Sequence, residues 1–427
     1  MPRVVQVVEV PGVQDAIATA DPAQCAEEIT AILAAGADRK EVVRTAALAA
    51  ARHFRPSLPP PRALLALGAS LDLAAKTDPP SAPIVQACAL AAKEWRKEEL
   101  HGSPHAISGD ELHLGHSFLV AVRESNVLEA DAIFSGLLRE GDERRFAGDT
   151  LFEACAPDAA GEGHKLAFAV GSWRLARSLG WLRGAAILRP AVHLAAGTTQ
   201  DLAEFSTIMR DVSRARLDLE LAGRNAAPID AVAKNGWQIA LNVGPDRVVT
   251  ELIGGMKRGR SVAGYADLVA ATAMERLAGD PSGMEAALYA LAARFVVAFS
   301  HTSTRVLAVL QAARSVAKVP AVSLPEAVRV SDPEAALRDL AAAIGSRDAR
   351  GATRIALGLA DAVEPEATLS VLRRQAAAAD AASDSGHRLL YASWASEFAP
   401  VASGPVVASL AAVLARGPNG QTVSAAI

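Results

Sequence analysis

The chain has 427 residues, of which 51% are hydrophobic, 21% charged and 4% aromatic, and its formal net charge is −4. This composition excludes a disordered chain and predicts a large buried core. Because aromatic residues are scarce, the core must consist mainly of Ala, Leu and Val, which suits closely packed helices. A slightly acidic chain has no electrostatic footprint for nucleic acid, so we expect no nucleic acid as a partner.

The first residues, MPRVVQVVEVPGV, lack the long apolar segment of a signal peptide, and their alternation over 3–10 predicts a strand. No apolar run in the chain reaches the roughly 18 residues of a membrane span. The three cysteines, Cys25, Cys88 and Cys155, are widely spaced and are predicted to be small core residues. Together these features predict a cytoplasmic protein without a membrane partner.

Four segments share one pattern, in which an apolar helix end, a turn rich in Gly and charge, and a second apolar helix follow one another. They begin at Ile29, Phe134, Leu252 and Leu340. Each copy is followed by a further apolar helix, and the third and fourth copies insert an extra helix, such as residues 283–299. We therefore predict an all-α fold, a large multi-helical array of about four related helix-turn-helix units with little or no sheet.

The copies divide the chain into two helical halves of two units each. The N-terminal half comprises residues 1–225 and the C-terminal half residues 246–427. Residues 226–245 are predicted to be a linker, because Pro and polar residues break the helical periodicity there, although WQIALNV (237–243) also suits a strand. We expect the two halves to form one continuous globular body.

Histidine recurs at the start of the apolar helices that follow the copies. His164 and His387 each follow a glycine and His301 follows a serine, while the first copy has Pro61 opposite His164. His116, in LGHSFLVAV, has the same local setting. Neutral imidazole is a common ligand of iron, zinc and copper, and helices can deliver such ligands to a shared core. This recurrence predicts a metal centre held by these four histidines.

A structural role is the alternative for each histidine, whose ring can cap a helix by bonding a neighbouring carbonyl group. His193, in AVHLAAG, lies in an apolar helix just before a turn and is the candidate catalytic residue. Glu162 and Asp384 could complete a site, although Asp384 equally suits an N-cap.

Four aromatic residues stand on, or just beyond, the helices that carry His164 and His387. They are predicted to line an apolar substrate pocket, with a place in the core as the alternative. These residues are Phe168, Trp173, Tyr391 and Trp394.

The elements RALLALGAS, GHKLAFAVG, FSHTSTRVLAV and GHRLLYASW, together with the length and helical character, resemble the questin oxidase-like proteins. The resemblance implies a largely α-helical fold, a mononuclear non-haem iron held mostly by histidines, and oxygen-dependent transformation of polycyclic aromatic metabolites. It also implies His164, His301 and His387 as iron ligands.

The sequence departs from the pattern of that family at three places. Residues 59–62 stand where the family tends to have a histidine-rich helix, Phe168 stands in place of a second histidine, and Leu390 stands where a lysine ligand is expected. Three interpretations stay open: a different mode of metal binding, His116 or His193 as substitute ligands, or loss of the metal.

The sequence therefore predicts a metal-dependent oxidoreductase or oxygenase with non-haem iron, acting on an apolar or aromatic small molecule in a helical cavity. One alternative is a non-enzymatic α-helical repeat protein that binds a partner or small ligand. Another is a cofactor-free enzyme with a histidine general base. A homodimer is compatible with each of these hypotheses.

Overall fold

The structure is a computed structural model that describes residues 9–54, 60–97, 105–140, 144–159, 163–198 and 200–417. Within these ranges the chain forms 22 α-helices and no strand, and an isolated bridge joins Ala227 to Arg260. The predicted all-α, multi-helical fold is confirmed. The strand predicted at residues 3–10 lies mostly outside the described residues.

The first twelve helices belong to the N-terminal half. They are α1 (Val13–Ala18), α2 (Pro22–Ala34), α3 (Arg39–Arg52), α4 (Ala63–Ala74), α5 (Ala82–Glu94), α6 (Glu111–Arg123), α7 (Val127–Glu140), α8 (Arg145–Cys155), α9 (His164–Ser178), α10 (Gly184–Gly197), α11 (Ala203–Ala215) and α12 (Leu219–Arg224).

The remaining ten helices follow residue 225, and a 3-10 turn at Pro281–Gly283 leads into α16. They are α13 (Ala231–Val243), α14 (Pro245–Lys257), α15 (Val262–Gly279), α16 (Met284–Phe299), α17 (Thr304–Lys318), α18 (Pro333–Gly345), α19 (Ala349–Ala362), α20 (Pro365–Ala378), α21 (His387–Phe398) and α22 (Ser403–Arg416).

Each of the four related segments contributes two successive helices, namely α2–α3, α7–α8, α14–α15 and α18–α19. The next helix is α4 in the first copy and α9 in the second. In the third and fourth copies α16 and α20 come first, followed by α17 and α21, and α16 matches the extra helix predicted at residues 283–299. The turn at residues 141–143 of the second copy lies outside the described residues.

The segment predicted to be a linker, residues 226–245, contains helix α13. WQIALNV is therefore helical and not a strand, because its buried residues recur at helical spacing. Trp237 is fully buried, and its Nε1 donates a hydrogen bond to Oγ1 of Thr272 on α15 at 2.9 Å. This stretch is consequently part of the packed body.

Helices from the two halves pack directly against each other. α4 contacts both α9 and α21, and α16 contacts the same two helices. One hydrophobic cluster, rich in Ala, Leu and Val, runs through both halves. The three cysteines are free and buried, as predicted. The packing of α4, α9, α16 and α21 brings together helix starts that are far apart in the sequence.

One segment of the described residues, Pro281–Phe299, is long and apolar enough to cross a membrane, with a mean hydropathy of 1.3. It consists of the 3-10 turn and α16, and 61% of it is buried inside the protein. A core helix has the same composition. The contacts of α16 with α9, α15 and α17 favour that interpretation.

A matched pair of leucines tests the packing. Leu151 on α8 is fully buried, whereas Leu128 on α7 is 76% exposed. Leu151→Ala is expected to lower the free energy of unfolding by about 2–5 kcal/mol, because it removes buried methyl groups and leaves a cavity. Leu128→Ala should change it by less than about 0.5 kcal/mol. Urea denaturation measures both, and equal effects would contradict the assigned burial.

Candidate functional site: helix starts around Glu285

Helices α9 and α21 begin in the same way. Their N-cap residues, Gly163 and Gly386, adopt left-handed φ angles of 87° and 76°, which glycine reaches without the strain that a Cβ atom brings. His164 and His387 are then the first residues of their helices, and both are buried. The glycine–histidine pairs recognised in the sequence therefore share one backbone geometry.

Both histidines meet on a residue that the sequence analysis missed, Glu285 in the first turn of α16. Its Oε2 lies 3.3 Å from His164 Nδ1, and its Oε1 lies 3.2 Å from His387 Nε2. Burial raises the pKa of this carboxyl, but hydrogen bonds and charge from His164 and His387 outweigh burial and hold the pKa well below its usual range. One carboxylate thus joins helix starts from the two halves.

Arg62, directly before α4, adds a fixed positive charge. Its Nη1 lies 2.8 Å from His387 Nε2, and its Nη2 lies 4.0 Å from Glu285 Oε1. His387 Nδ1 lies 2.6 Å from the carbonyl oxygen of Asp384 and must donate to it. A guanidinium only donates, so Arg62 bonds Nε2 in the neutral ring, whereas in the charged ring Nε2 donates to Glu285. Both ring nitrogens of His387 are therefore engaged.

His164 differs in having one engaged nitrogen. Its Nδ1 faces the Glu285 carboxylate, which only accepts, so Nδ1 carries a proton, and Nε2 holds a lone pair when the ring is neutral. Within the described part of the chain, Nε2 is buried without a hydrogen-bond partner. His164 lines a cavity of about 10 Å³ together with Arg62, Leu65 and His387. That volume corresponds to about one water molecule.

A second carboxylate, Glu94 at the end of α5, lies close to Arg62. Its Oε2 accepts a hydrogen bond from the N–H of Ala63 at 2.9 Å, at the start of α4. Burial raises the pKa of Glu94 to about 7, against the lowering effects of that N–H and of the Arg62 charge. The carboxyl group of Glu94 therefore changes its protonation state near neutral pH.

The other predicted histidines lie at different places. His116 is exposed in the middle of α6, which begins at Glu111. His301 is exposed in the loop before α17, where it interacts with Asp149. His193 is buried in α10, with its Nε2 3.2 Å from Oδ2 of Asp131. Of the four predicted metal ligands, the structure brings only His164 and His387 together on Glu285.

The cluster around Glu285 does not fit the predicted iron centre. No group of three or more His, Cys, Asp or Glu side chains within the described ranges is arranged to hold a metal ion. His387 Nε2, which a metal would need as a ligand, lies 2.8 Å from the Arg62 guanidinium, a fixed positive charge that repels a metal ion. Iron therefore stays a prediction made from the sequence, and this geometry favours a hydrogen-bonded cluster.

The aromatic residues predicted to line a substrate pocket, with the core as the alternative, are all buried. The most exposed of them has only 4% of its surface accessible; they are Phe168, Trp173, Tyr391 and Trp394. Trp173 packs edge-on against Phe152, with 5.8 Å between ring centroids. Ring packing of this kind fills space between helices, so these side chains contribute to the core.

An apolar pocket of about 290 Å³ lies elsewhere, between α6, α8, α11 and α17. Its wall includes Leu119, Phe205 and Leu307, with Arg123 and Glu153 as charged residues. Burial raises the pKa of Glu153, which neighbouring negative charge raises further. These residues are scattered over distant helices, so no local sequence pattern indicates the pocket.

Two residues of the Glu285 cluster stand out in the sequence by their positions. Glu285 is an isolated acid within the apolar run of residues 283–299. Arg62 follows Pro61, the residue that the repeat alignment places opposite His164. The repeat pattern therefore indicates the neighbourhood of Arg62, although a pattern of recurring histidines does not include it.

No family model, curated protein or solved structure matches this chain. The resemblance to questin oxidase-like proteins consequently stays an expectation from short sequence elements.

Glu285→Gln is expected to lower the free energy of unfolding at pH 7 by about 1–3 kcal/mol, because hydrogen bonds to a charged group are weakened. The folded-state pKa of Glu285 is depressed, so its stabilisation is present above the ordinary value of 4.5 and is lost as pH falls through the folded value. Urea denaturation should therefore show a difference from wild type that shrinks below pH 4.5. A difference independent of pH would contradict the assignment.

Glu94→Gln should have the opposite pH dependence. The pKa of Glu94 is raised from 4.5 to about 7, so its contribution to stability is present below 4.5 and is lost as pH rises through about 7. At pH 8 the variant should be more stable than wild type by about 1–3 kcal/mol, and at pH 4.5 the two should be nearly equal. Glu27→Gln, at an exposed position of α2, is the control.

Proposed function

We propose that this protein is a cofactor-free acid–base enzyme in which His164 is the general base. The observation that carries the proposal is the state of its two ring nitrogens. Nδ1 is held by the Glu285 carboxylate, while the buried Nε2 has no partner among the described residues and its ring borders a cavity. An imidazole oriented by a carboxylate, with a free lone pair on its other nitrogen, is the arrangement that activates a histidine base.

Glu285 acts as the positioning residue for this base. Because its pKa lies well below the usual range, it is ionised at neutral pH. The carboxylate therefore holds His164 in the tautomer whose Nε2 accepts a proton. It also stabilises the imidazolium that forms once the proton has been taken.

Arg62 and the apolar residues that line the cavity favour one class of reaction. Arg62 lines the same cavity as His164, so its guanidinium can stabilise an anion that develops there. We infer proton abstraction from a carbon next to a carbonyl group: the C–H bond breaks, its electron pair moves onto the carbonyl oxygen, and His164 takes the proton. Return of that proton to another carbon completes an isomerisation, which needs no oxidant or cofactor.

Leucines form the apolar part of the wall of this cavity. Leu65, Leu288 and Leu390 line it with the polar residues, and its volume of about 10 Å³ holds about one water molecule. A substrate larger than water therefore enters only when these side chains move apart. Their closure afterwards excludes bulk water and strengthens the electrostatic effect of Arg62.

A second candidate function, binding of an apolar ligand without catalysis, is favoured by the 290 Å³ pocket between α6, α8, α11 and α17. Its size approaches that of pockets for small organic ligands, roughly 300–1,000 Å³. Its charged residues, Arg123 and Glu153, could orient an amphipathic molecule. This pocket shares no lining residue with the His164 cavity.

Exchange of carbon-bound hydrogen for deuterium tests the enzymatic proposal. A panel of small aldehydes, ketones and 2-oxo acids is incubated with protein in D₂O and followed by proton NMR. We expect exchange in at least one compound, and a reduction by about 10²–10⁴-fold in His164→Gln, because that variant lacks the base. Glu285→Gln should also lower the rate, since it loosens the orientation of His164.

His193→Gln and His113→Gln complete the experiment. His113 is exposed on α6 and is the neutral control. His193 pairs with Asp131. If the exchange rate depended on His193 and not on His164, the general base would be His193 and the assignment to His164 would be wrong. Nitrogen-15 NMR of the imidazoles adds a measurement that needs no substrate: a protonated Nε2 and bare Nδ1 in His164 at neutral pH would contradict the proposed tautomer.

A further inference from the structure

A polar pocket of about 130 Å³ lies beside the start of α9. Its wall includes Gln311, Ser315 and Lys318, which share one face of α17 because they are spaced by four and three residues. Tyr289 of α16 and Glu204 of α11 form the facing parts of the wall. None of these residues lines the cavity of His164.

Gln311 is the unusual side chain of this pocket. It is only 2% exposed, yet both its Oε1 and its Nε2 lack a hydrogen-bond partner within the described part of the chain. Buried amide groups are nearly always paired, because an unpaired donor or acceptor loses its hydration without compensation. A buried amide with both ends unpaired at the wall of a cavity indicates a partner molecule with complementary groups.

The charged and phenolic groups of the pocket are already paired. Glu204 accepts a hydrogen bond from Lys318 Nζ and forms an ion pair with Arg314 at 3.3 Å. The Tyr289 hydroxyl donates to the carbonyl oxygen of Ala156 at 3.0 Å, and burial raises the pKa of Tyr289 well above its usual value. Among the described residues of the wall, a charged ligand would therefore find no unpaired counter-charge, whereas a neutral amide would supply the missing hydrogen-bond partners of Gln311.

We propose that this pocket binds a small neutral ring with a cis amide, such as a lactam or a pyrimidine-type base. The ligand N–H donates to Gln311 Oε1 and its carbonyl oxygen accepts from Nε2, which gives two parallel hydrogen bonds. The Tyr289 ring supplies an apolar surface for the ligand ring. The volume fits this size, since an engineered cavity of about 150 Å³ holds benzene.

Binding of 2-pyridone, measured by ligand-observed NMR and isothermal titration calorimetry, tests the proposal. We expect saturable binding to the wild-type protein. N-methyl-2-pyridone, which keeps the ring and carbonyl group but lacks the N–H donor, should bind at least about tenfold more weakly, because the loss leaves Gln311 Oε1 unpaired. Gln311→Met preserves the length of the side chain and should weaken 2-pyridone binding by at least about tenfold.

Gln200→Met is the matched control, because Gln200 lines the separate apolar pocket and donates to the Val122 carbonyl oxygen at 2.9 Å. It should leave 2-pyridone binding unchanged. Binding is measured without an enzymatic assay, so this site is tested independently of the proposed enzyme. If Gln311→Met does not fold, Gln311→Glu, which keeps only acceptors, replaces it. No saturable binding to wild type, equal binding of the methylated ring, or unchanged binding to the Gln311 variant would each overturn the proposal.

Discussion

The burial of one carboxylate, Glu285, constrains the centre of this fold. A buried carboxylate is costly unless cations or hydrogen-bond donors surround it. Here Arg62, His164 and His387 supply them, each from the start of a helix that follows a different copy of the helix-turn-helix unit. The positions of α4, α9 and α21 are thus tied to one group on α16, so the electrostatic requirement of a single side chain fixes how both halves meet.

This arrangement explains why His301, the equivalent residue after the third copy, does not belong to the cluster. In the third copy α16 is inserted before α17, and it is α16 that carries Glu285 to the cluster. His301, at the loop before α17, is left exposed beside Asp149. The site is therefore formed by the starts of α4, α9 and α21 and by the inserted helix α16. The repeat alone predicts a site formed by histidines at equivalent positions.

The sequence predicts the fold better than the site, for a physical reason. Helical periodicity is a local property, so the four helix pairs, the inserted α16 and the glycine-led starts of α9 and α21 are readable from spacing alone. Whether His164 meets His387 depends on packing between residues more than two hundred positions apart. The contribution of Arg62 and the core position of Trp173 depend on the same packing, which no local pattern encodes.

The left-handed turn at Gly163 has a consequence for communication across the molecule. A Cβ atom there would overlap the Tyr289 ring, and Gly163 lines the polar pocket while the next residue, His164, lines the cavity of the cluster. A single peptide bond therefore separates the two spaces. A ligand that shifts this turn changes the free energy of placing the imidazole, and by linkage the protonation of the imidazole changes the affinity for that ligand to the same extent.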